Sequence, residues 1–166
     1  GAHESSLIGE NPSDIPNNLM PYIVNVANKE LPYLNIFGEN YDTVDGTGVR
    51  DYIHVMDLAE SHLMALNFIG LKAVSENFIE SSFSNQGFNC FNVGTGKDIS
   101  IKEVAELMKD IVGFKGEVNY DTSMPDGPSR KLIDISLITN LGWNHTTSLS
   151  DGLKKTYDWY VSEVAR

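Results

Sequence analysis

The chain has 166 residues, with 12 basic against 23 acidic side chains and a formal net charge of -11. That balance excludes the basic face of a nucleic-acid-binding domain and disfavours an anionic membrane surface. A hydrophobic share of 41% is enough to bury a core and excludes a disordered chain.

"NPSDIPNNLMPYIVNVANKE" reads as a polar loop followed by a helix over about Leu19–Asn28. Asn17 and Asn18 are suited to its N-cap, and Pro21 is tolerated in a first turn. "YLNIFG" (Tyr33–Gly38) is a short strand closed by glycine. The turn-rich "ENYDTVDGTG" leads into "VRDYIHV" (Val49–Val55), whose alternation predicts a strand. Val49, Asp51, Ile53 and Val55 fall on one face, and Arg50, Tyr52 and His54 on the other. Asp57 and Glu60 form a capping-box variant opening a helix over about Leu58–Ile69.

"FNCFNVG" (Phe88–Gly94) is expected to be a buried strand, and "GTGKDIS" a turn. Ser100 and Glu103 form a second capping box, starting a helix to about Val112. "GEVNYD" is a strand, "TSMPDGPSR" a Pro/Gly loop, "KLIDIS" an extended piece and "LITNLG" one or two helical turns. "SLSDGLKKTYDWYVSEVAR" is a capped amphipathic helix to the end. The stretch 70–87 carries no readable signal.

The single cysteine, Cys90, rules out an intrachain disulfide and points to the cytoplasm. No apolar run approaches the roughly 18 residues of a membrane span. The first residues lack a basic segment followed by an apolar one, so no signal peptide is expected, and without a starting Met the chain reads as a piece of a longer protein. The four histidines are scattered and make no zinc-binding spacing. "VGTGKDIS" supplies only G-x-G, without the third glycine of a dinucleotide loop or the G-K-[ST] of a P-loop. None of the seven tyrosines is followed four positions later by lysine, so the chain holds no Tyr-x-x-x-Lys dyad.

Two basic spots at loop–strand junctions remain, where binding groups gather. These are Arg50 and the pair Arg130–Lys131. Each reads either as a surface ion-pair residue or as a phosphate ligand, since the planar guanidinium fork bonds two oxygens at once. In the first reading Arg50 is the partner of Asp45 or Asp51.

"GAHESSLIGENPSDIPNNLMPYI", "LNIFGENYDTVDGTGVRDYIHVMDLAESH" and "FNVGTGKDISIKEVAEL" together resemble the C-terminal, substrate-binding part of the extended short-chain dehydrogenase/reductases that act on nucleotide sugars. Residues 1–69 are similar to the UDP-galactose (UDP-glucose) 4-epimerase branch of that family. Residues 91–166 are similar to the GDP-L-fucose synthase branch. The change falls between 70 and 92, where a natural mosaic and a wrongly joined sequence both fit.

The resemblance implies an α/β fold, with residues 1–166 forming the α+β substrate-binding portion of a Rossmann-fold enzyme. It implies that the G-x-x-G-x-x-G loop, the Ser/Thr and the Tyr-x-x-x-Lys lie upstream, with NAD or NADP bound there. No catalytic, cofactor-binding or metal-binding residue is then expected in this chain, which alone is expected to be inactive. Asn18 and Leu19 match the loop that contacts the phosphates and uridine. Asn35, Ile36 and Phe37 match the edge strand whose backbone reads the base. Arg50 matches the diphosphate-binding arginine and is expected to face the cleft, with Asp51 and Ile53 facing the core; Arg130 and Lys131 match the basic pair of the fucose synthases, and Asp126 the ribose-binding acid. The implied partner is a UDP-sugar for NAD-dependent 4-epimerisation, or a GDP-sugar for an NADPH-dependent epimerase/reductase, in a homodimeric parent. A non-catalytic sugar-nucleotide-binding or interaction module is the reading from another class.

Overall fold

The first helix, α1 (Leu19–Ala27), begins after Asn18, whose backbone is extended as an N-cap requires. The Asn18 side chain makes no cap bond; its amide instead donates to Glu10 Oε1 at 3.0 Å. The chain then enters β1 (Leu34–Phe37). The computed structural model describes residues 1–5, 7–10, 13, 18–29, 31–73, 91–123 and 127–164. Cys90 and Asp126 lie outside them, as do Asn17 and most of the expected change at 70–92.

β2 spans only Val49–Asp51, and α2 (Val55–Ala73) starts sooner than the alternation suggests. His54, not Asp57, sits at the helix start: its carbonyl accepts from Leu58 N at 3.1 Å and its Nδ1 from Met56 N at 3.3 Å. Asp57 instead is buried and receives Thr146 N, Thr146 Oγ1 and Thr147 N. A buried carboxylate requires such donors, and they come from the far end of the chain.

Of the strand expected over Phe88–Gly94, residues 91–94 are described and are not strand. Phe91 packs edge-on against Phe68, with ring centroids 5.9 Å apart. β3 (Asp98–Ser100) follows where only a turn was expected. The capping box opens α3 (Ile101–Val112) in full: Ser100 Oγ accepts from Glu103 N at 3.0 Å, and Glu103 Oε2 accepts from Ser100 N at 3.1 Å. Gly113 ends the helix at φ 67, a left-handed conformation that glycine adopts without a Cβ penalty. β4 (Val118–Asp121), β5 (Arg130–Lys131), α4 (Ser136–Asn140) and α5 (Leu149–Glu163) complete the order. Ser148 caps α5, accepting from Asp151 N at 3.1 Å.

The elements form a mixed α/β fold with two small sheets. β1 pairs parallel with β4. β2 is central in the other sheet, antiparallel to β3 and parallel to β5. Ile23 and Val26 of α1, Leu34 and Ile36 of β1, Val104, Ala105 and Met108 of α3, and Leu153 of α5 form the core. Core burial of this kind removes apolar area from water at about 25 cal/mol per Å². It anchors α1, β1 and α3, the elements that frame the cavity described next.

Asp51 does not face this core. Its carboxylate receives Thr95 N at 2.9 Å, Thr95 Oγ1 at 2.6 Å and Gly96 N at 2.9 Å. The glycine turn that resembles a phosphate loop is therefore occupied by a carboxylate of its own chain. α2 leaves Leu63 and Leu66 62% and 64% exposed. No described helix is long and apolar enough to cross a membrane.

Candidate functional site

Arg50 owes its position to the turn before it. Gly46 stands at φ 78, which permits the tight return of the chain, with Tyr41 N donating to Gly46 O at 3.0 Å. Asp45 Oδ1 accepts from Thr47 N and Thr47 Oγ1 at 2.9 and 2.8 Å. Burial acts to raise the Asp45 carboxyl, but bonds from Ser100 and Thr47 and the nearby Lys102 charge outweigh it and hold it below its ordinary range. Thr47 Oγ1 accepts from Lys102 N, and Gly48 O from Ile101 N at 2.9 Å. The turn is thereby fastened to the start of α3, and β2 leaves it in a fixed direction.

Six residues expected at a binding site line one cavity of about 290 Å³: Asn18, Leu19, Asn35, Ile36, Phe37 and Arg50. Tyr22, Tyr52 and Ile101 complete the wall. Sequence reasoning did not place these three at the site. Tyr22 lies three residues after Leu19 on α1, and Tyr52 two after Arg50 in extended chain, so helical and strand spacing carry the signal. Burial raises the Tyr52 hydroxyl above its ordinary range, and the Arg50 charge opposes that.

Among the described residues, Arg50 is the only charged one lining this cavity. Its Nη1 donates to Val49 O at 2.8 Å and more weakly to Ser129 O at 3.4 Å. Among the described residues no carboxylate pairs with it. Asp51 is held by Thr95 and Gly96, and Asp45 accepts from Thr47. Neither is the partner that an ion-pair reading requires.

β1 brings a second kind of group. Leu34 N and Gly38 N donate towards β4, to Glu117 O and Asp121 O. In a parallel strand, alternate residues point their amide groups to opposite edges. Asn35 and Phe37 therefore turn their N–H and C=O groups to the other edge, where no described strand pairs. Ile36, buried between them, also lies in the wall. A cation, two backbone donor–acceptor pairs, two amide side chains and three aromatic rings suit an anionic ligand with a planar, hydrogen-bonding end.

Arg130 and Lys131 are placed differently. In the β2–β5 register Val49 faces Arg130 and Arg50 faces Lys131, and neighbours in register share a sheet face. Lys131 is thus on the Arg50 side, exposed, and outside the cavity lining. Arg130 is on the opposite side, bonded to Asp98 through Nε and Nη2. That pair holds the Asp98 carboxyl below its ordinary range. Arg130 lines a larger cavity of about 860 Å³ where, among the described residues, Asp42, Asp45, Asp98, Glu103 and Glu106 face only Lys102 and Arg130. Such a field repels a diphosphate. Among the described residues no group of three or more His, Cys, Asp or Glu is placed to hold a metal ion.

A family model described as "NAD dependent epimerase/dehydratase family" matches residues 4–77. The epimerase likeness continues beyond them. A UDP-glucose 4-epimerase of Caenorhabditis elegans is 39% identical over 160 residues, which are 96% of this chain and 43% of that protein. A putative GDP-L-fucose synthase of Arabidopsis thaliana is 41% identical over 121 residues, 73% of this chain and 32% of that protein. The solved UDP-glucose-4-epimerase of Stenotrophomonas maltophila, with NAD and formylated UDP-arabinopyranose bound, superposes with a TM-score of 0.82 at 36% identity. That match covers 98% of this chain and 45% of the solved one. The chain spans less than half the length of the curated relatives it matches. The likeness to 4-epimerases runs through the 70–92 stretch, and both branches named from sequence are found among its relatives.

The epimerase family is NAD-dependent, and its solved member above carries NAD. The residues present here do not fit that cofactor. The sequence has neither G-x-x-G-x-x-G nor G-x-G-x-x-G. Its one phosphate-loop-like turn, at Gly94–Gly96, is filled by Asp51.

Proposed function

We propose that this chain is the nucleotide-sugar-binding portion of a UDP-glucose/UDP-galactose 4-epimerase, and that Arg50 bonds the diphosphate of the UDP-sugar. The observation that carries the reading is the half-buried guanidinium with no carboxylate partner among the described residues, opening on a cavity with the free edge of β1. In this reading the Asn35 and Phe37 backbone groups meet the edge of the uracil, which offers one N–H donor flanked by two carbonyl acceptors. Asn18 and Leu19 close the site from α1. Holding the nucleotide diphosphate, which does not react, turns remote binding energy into positioning of the sugar.

The cofactor and the proton-transferring residues are assigned to the part of the parent protein outside this chain, and the parent to a homodimer. Asp126 as a ribose ligand and Lys131 as a further diphosphate contact belong to the same proposal. Arg130 is less suited, because Asp98 engages it. A second reading, a GDP-sugar epimerase/reductase, is favoured by the likeness of 121 residues to the putative fucose synthase.

The test is calorimetric titration of UDP and of GDP into the parent protein and its Arg50→Ala and Arg50→Lys variants. A hydrogen bond to a charged group is worth roughly 1.5–3 kcal/mol, so Arg50→Ala is expected to weaken UDP binding about 10- to 150-fold. Arg50→Lys should recover part of it, keeping charge but losing the fork. Unchanged UDP affinity in Arg50→Ala ends the assignment, and tighter GDP than UDP binding in the wild type selects the second reading.

A further inference from the structure

We infer that Gly48 is a positioning residue for Arg50: the absence of a side chain at 48 lets the guanidinium lie flat on the backbone, with its fork turned to the cavity. The inference rests on the diphosphate reading of Arg50. A Cβ built at Gly48 would stand 3.2 Å from Arg50 Nη1, 3.3 Å from Nη2 and 3.4 Å from Cζ. The two to nitrogen are tighter than ordinary van der Waals contact and the third is at its limit, and all three are to the guanidinium. Gly48 is not in the left-handed region, unlike Gly46, so backbone conformation does not demand glycine there. What demands it is the group packed above.

The backbone around this contact is tied on both sides. Gly48 O accepts from Ile101 N at 2.9 Å, at the start of α3. Val49 N donates to Ser129 O at 2.8 Å, and that same carbonyl, with Val49 O, receives Arg50 Nη1. The guanidinium is thus seated on Gly48 and pinned at Nη1. Among the described residues no hydrogen bond occupies Nη2 or Nε, the edge that makes a two-point contact with a phosphate. An added methyl must lift the group by a few tenths of an ångström and turn this edge. Gly127 is a contrasting neighbour: its Cβ would meet Arg50 Nη2 at 3.8 Å, an ordinary contact.

The experiment is a double-mutant cycle on UDP affinity in the parent protein, with Gly48→Ala, Arg50→Ala, the double variant and Gly127→Ala, each with a thermal melt. Gly48→Ala is expected to bind UDP about 10-fold more weakly, within the loss expected for Arg50→Ala. In the Arg50→Ala background, Gly48→Ala should add nothing, because the group it displaces is gone. Gly127→Ala should bind as wild type does. Gly48→Ala should melt within a few degrees of wild type, since only the end of a flexible side chain is moved. Wild-type affinity in Gly48→Ala, an equal loss in both backgrounds, or a large drop in melting temperature each overturns the inference. The first two leave the Arg50 assignment standing if Arg50→Ala itself binds weakly. Wild-type affinity in Arg50→Ala overturns both.

Discussion

Replacing Asp57 with asparagine tests how the two ends of the fold are held together. Asp57 is 1% exposed. One oxygen accepts from Thr146 N at 3.0 Å and Thr146 Oγ1 at 2.9 Å, and the other from Thr147 N at 3.1 Å. Asparagine keeps the first oxygen but points an NH2 at the Thr147 N–H, donor against donor. One charge-assisted bond is lost and a buried donor is orphaned, each worth roughly 1–3 kcal/mol, so the expected loss is about 2–6 kcal/mol. Burial acts to raise the Asp57 carboxyl, but the bonds from Thr146 and Thr147 outweigh it and hold it below the ordinary carboxylate range. With its folded pKa depressed, the native state binds fewer protons than the unfolded one. The stability it supplies is complete above the unfolded value of about 3.9 and disappears as pH falls through the folded value. Urea unfolding at pH 7 and at a series of acid pH values, wild type against Asp57→Asn, measures both effects. A loss below about 1 kcal/mol, or an acid limb of equal slope in both proteins, would refute the argument.

His54 gives a second pH signature. Burial foremost, with Lys155, holds its imidazole below its ordinary range, against Asp57, which acts to raise it. Its Nδ1 accepts from Met56 N and cannot do so once protonated. Stability is therefore expected to be complete above about pH 6.5 and to fall as pH drops through the lower folded value. His54→Asn, which keeps a capping acceptor, should flatten thermal melts over that window, and a profile that stays as steep as wild type refutes this. The exposed Leu63 and Leu66 of α2 predict that the chain expressed alone binds an apolar-surface dye. A monodisperse monomer that does not bind it would contradict that reading.

The elements legible in the sequence are those whose signals are local. Ser100 and Glu103 cap each other within one turn, and Gly113 stops the same helix, so α3 was readable at both ends. Ser148, which accepts from Asp151 N, made the start of α5 readable in the same way. β2 was readable as a strand but not in extent, because the alternation of Val49–Val55 continues into the first turn of α2. Asp57 looked like an N-cap because an acid suits both the cap and the first turn. Only Thr146, 89 residues away, decides between them. β3 escaped because three residues after a glycine turn carry no period.

The candidate site divides in the same way. Motif matching brought Asn18, Leu19, Asn35, Ile36, Phe37 and Arg50 together, and the structure places them around one cavity. Sequence could not separate Arg50 from Arg130, since each stands near acids. The separation comes from sheet faces: Asp98 meets Arg130, while Asp51 turns to Thr95 and Gly96.

The pairing of β2 with β5 also has a consequence in time. Ser129, which holds both Val49 N and the Arg50 guanidinium, follows Arg50 by 79 residues. At roughly 5–20 residues per second of synthesis, the ribosome needs about 4–16 s to supply it. During that interval β2 has an open edge, the kind of surface that recruits foreign strands. The seat of the arginine is therefore finished late in translation, and a nascent chain stalled before Ser129 would carry the guanidinium without one of the two carbonyls that orient it.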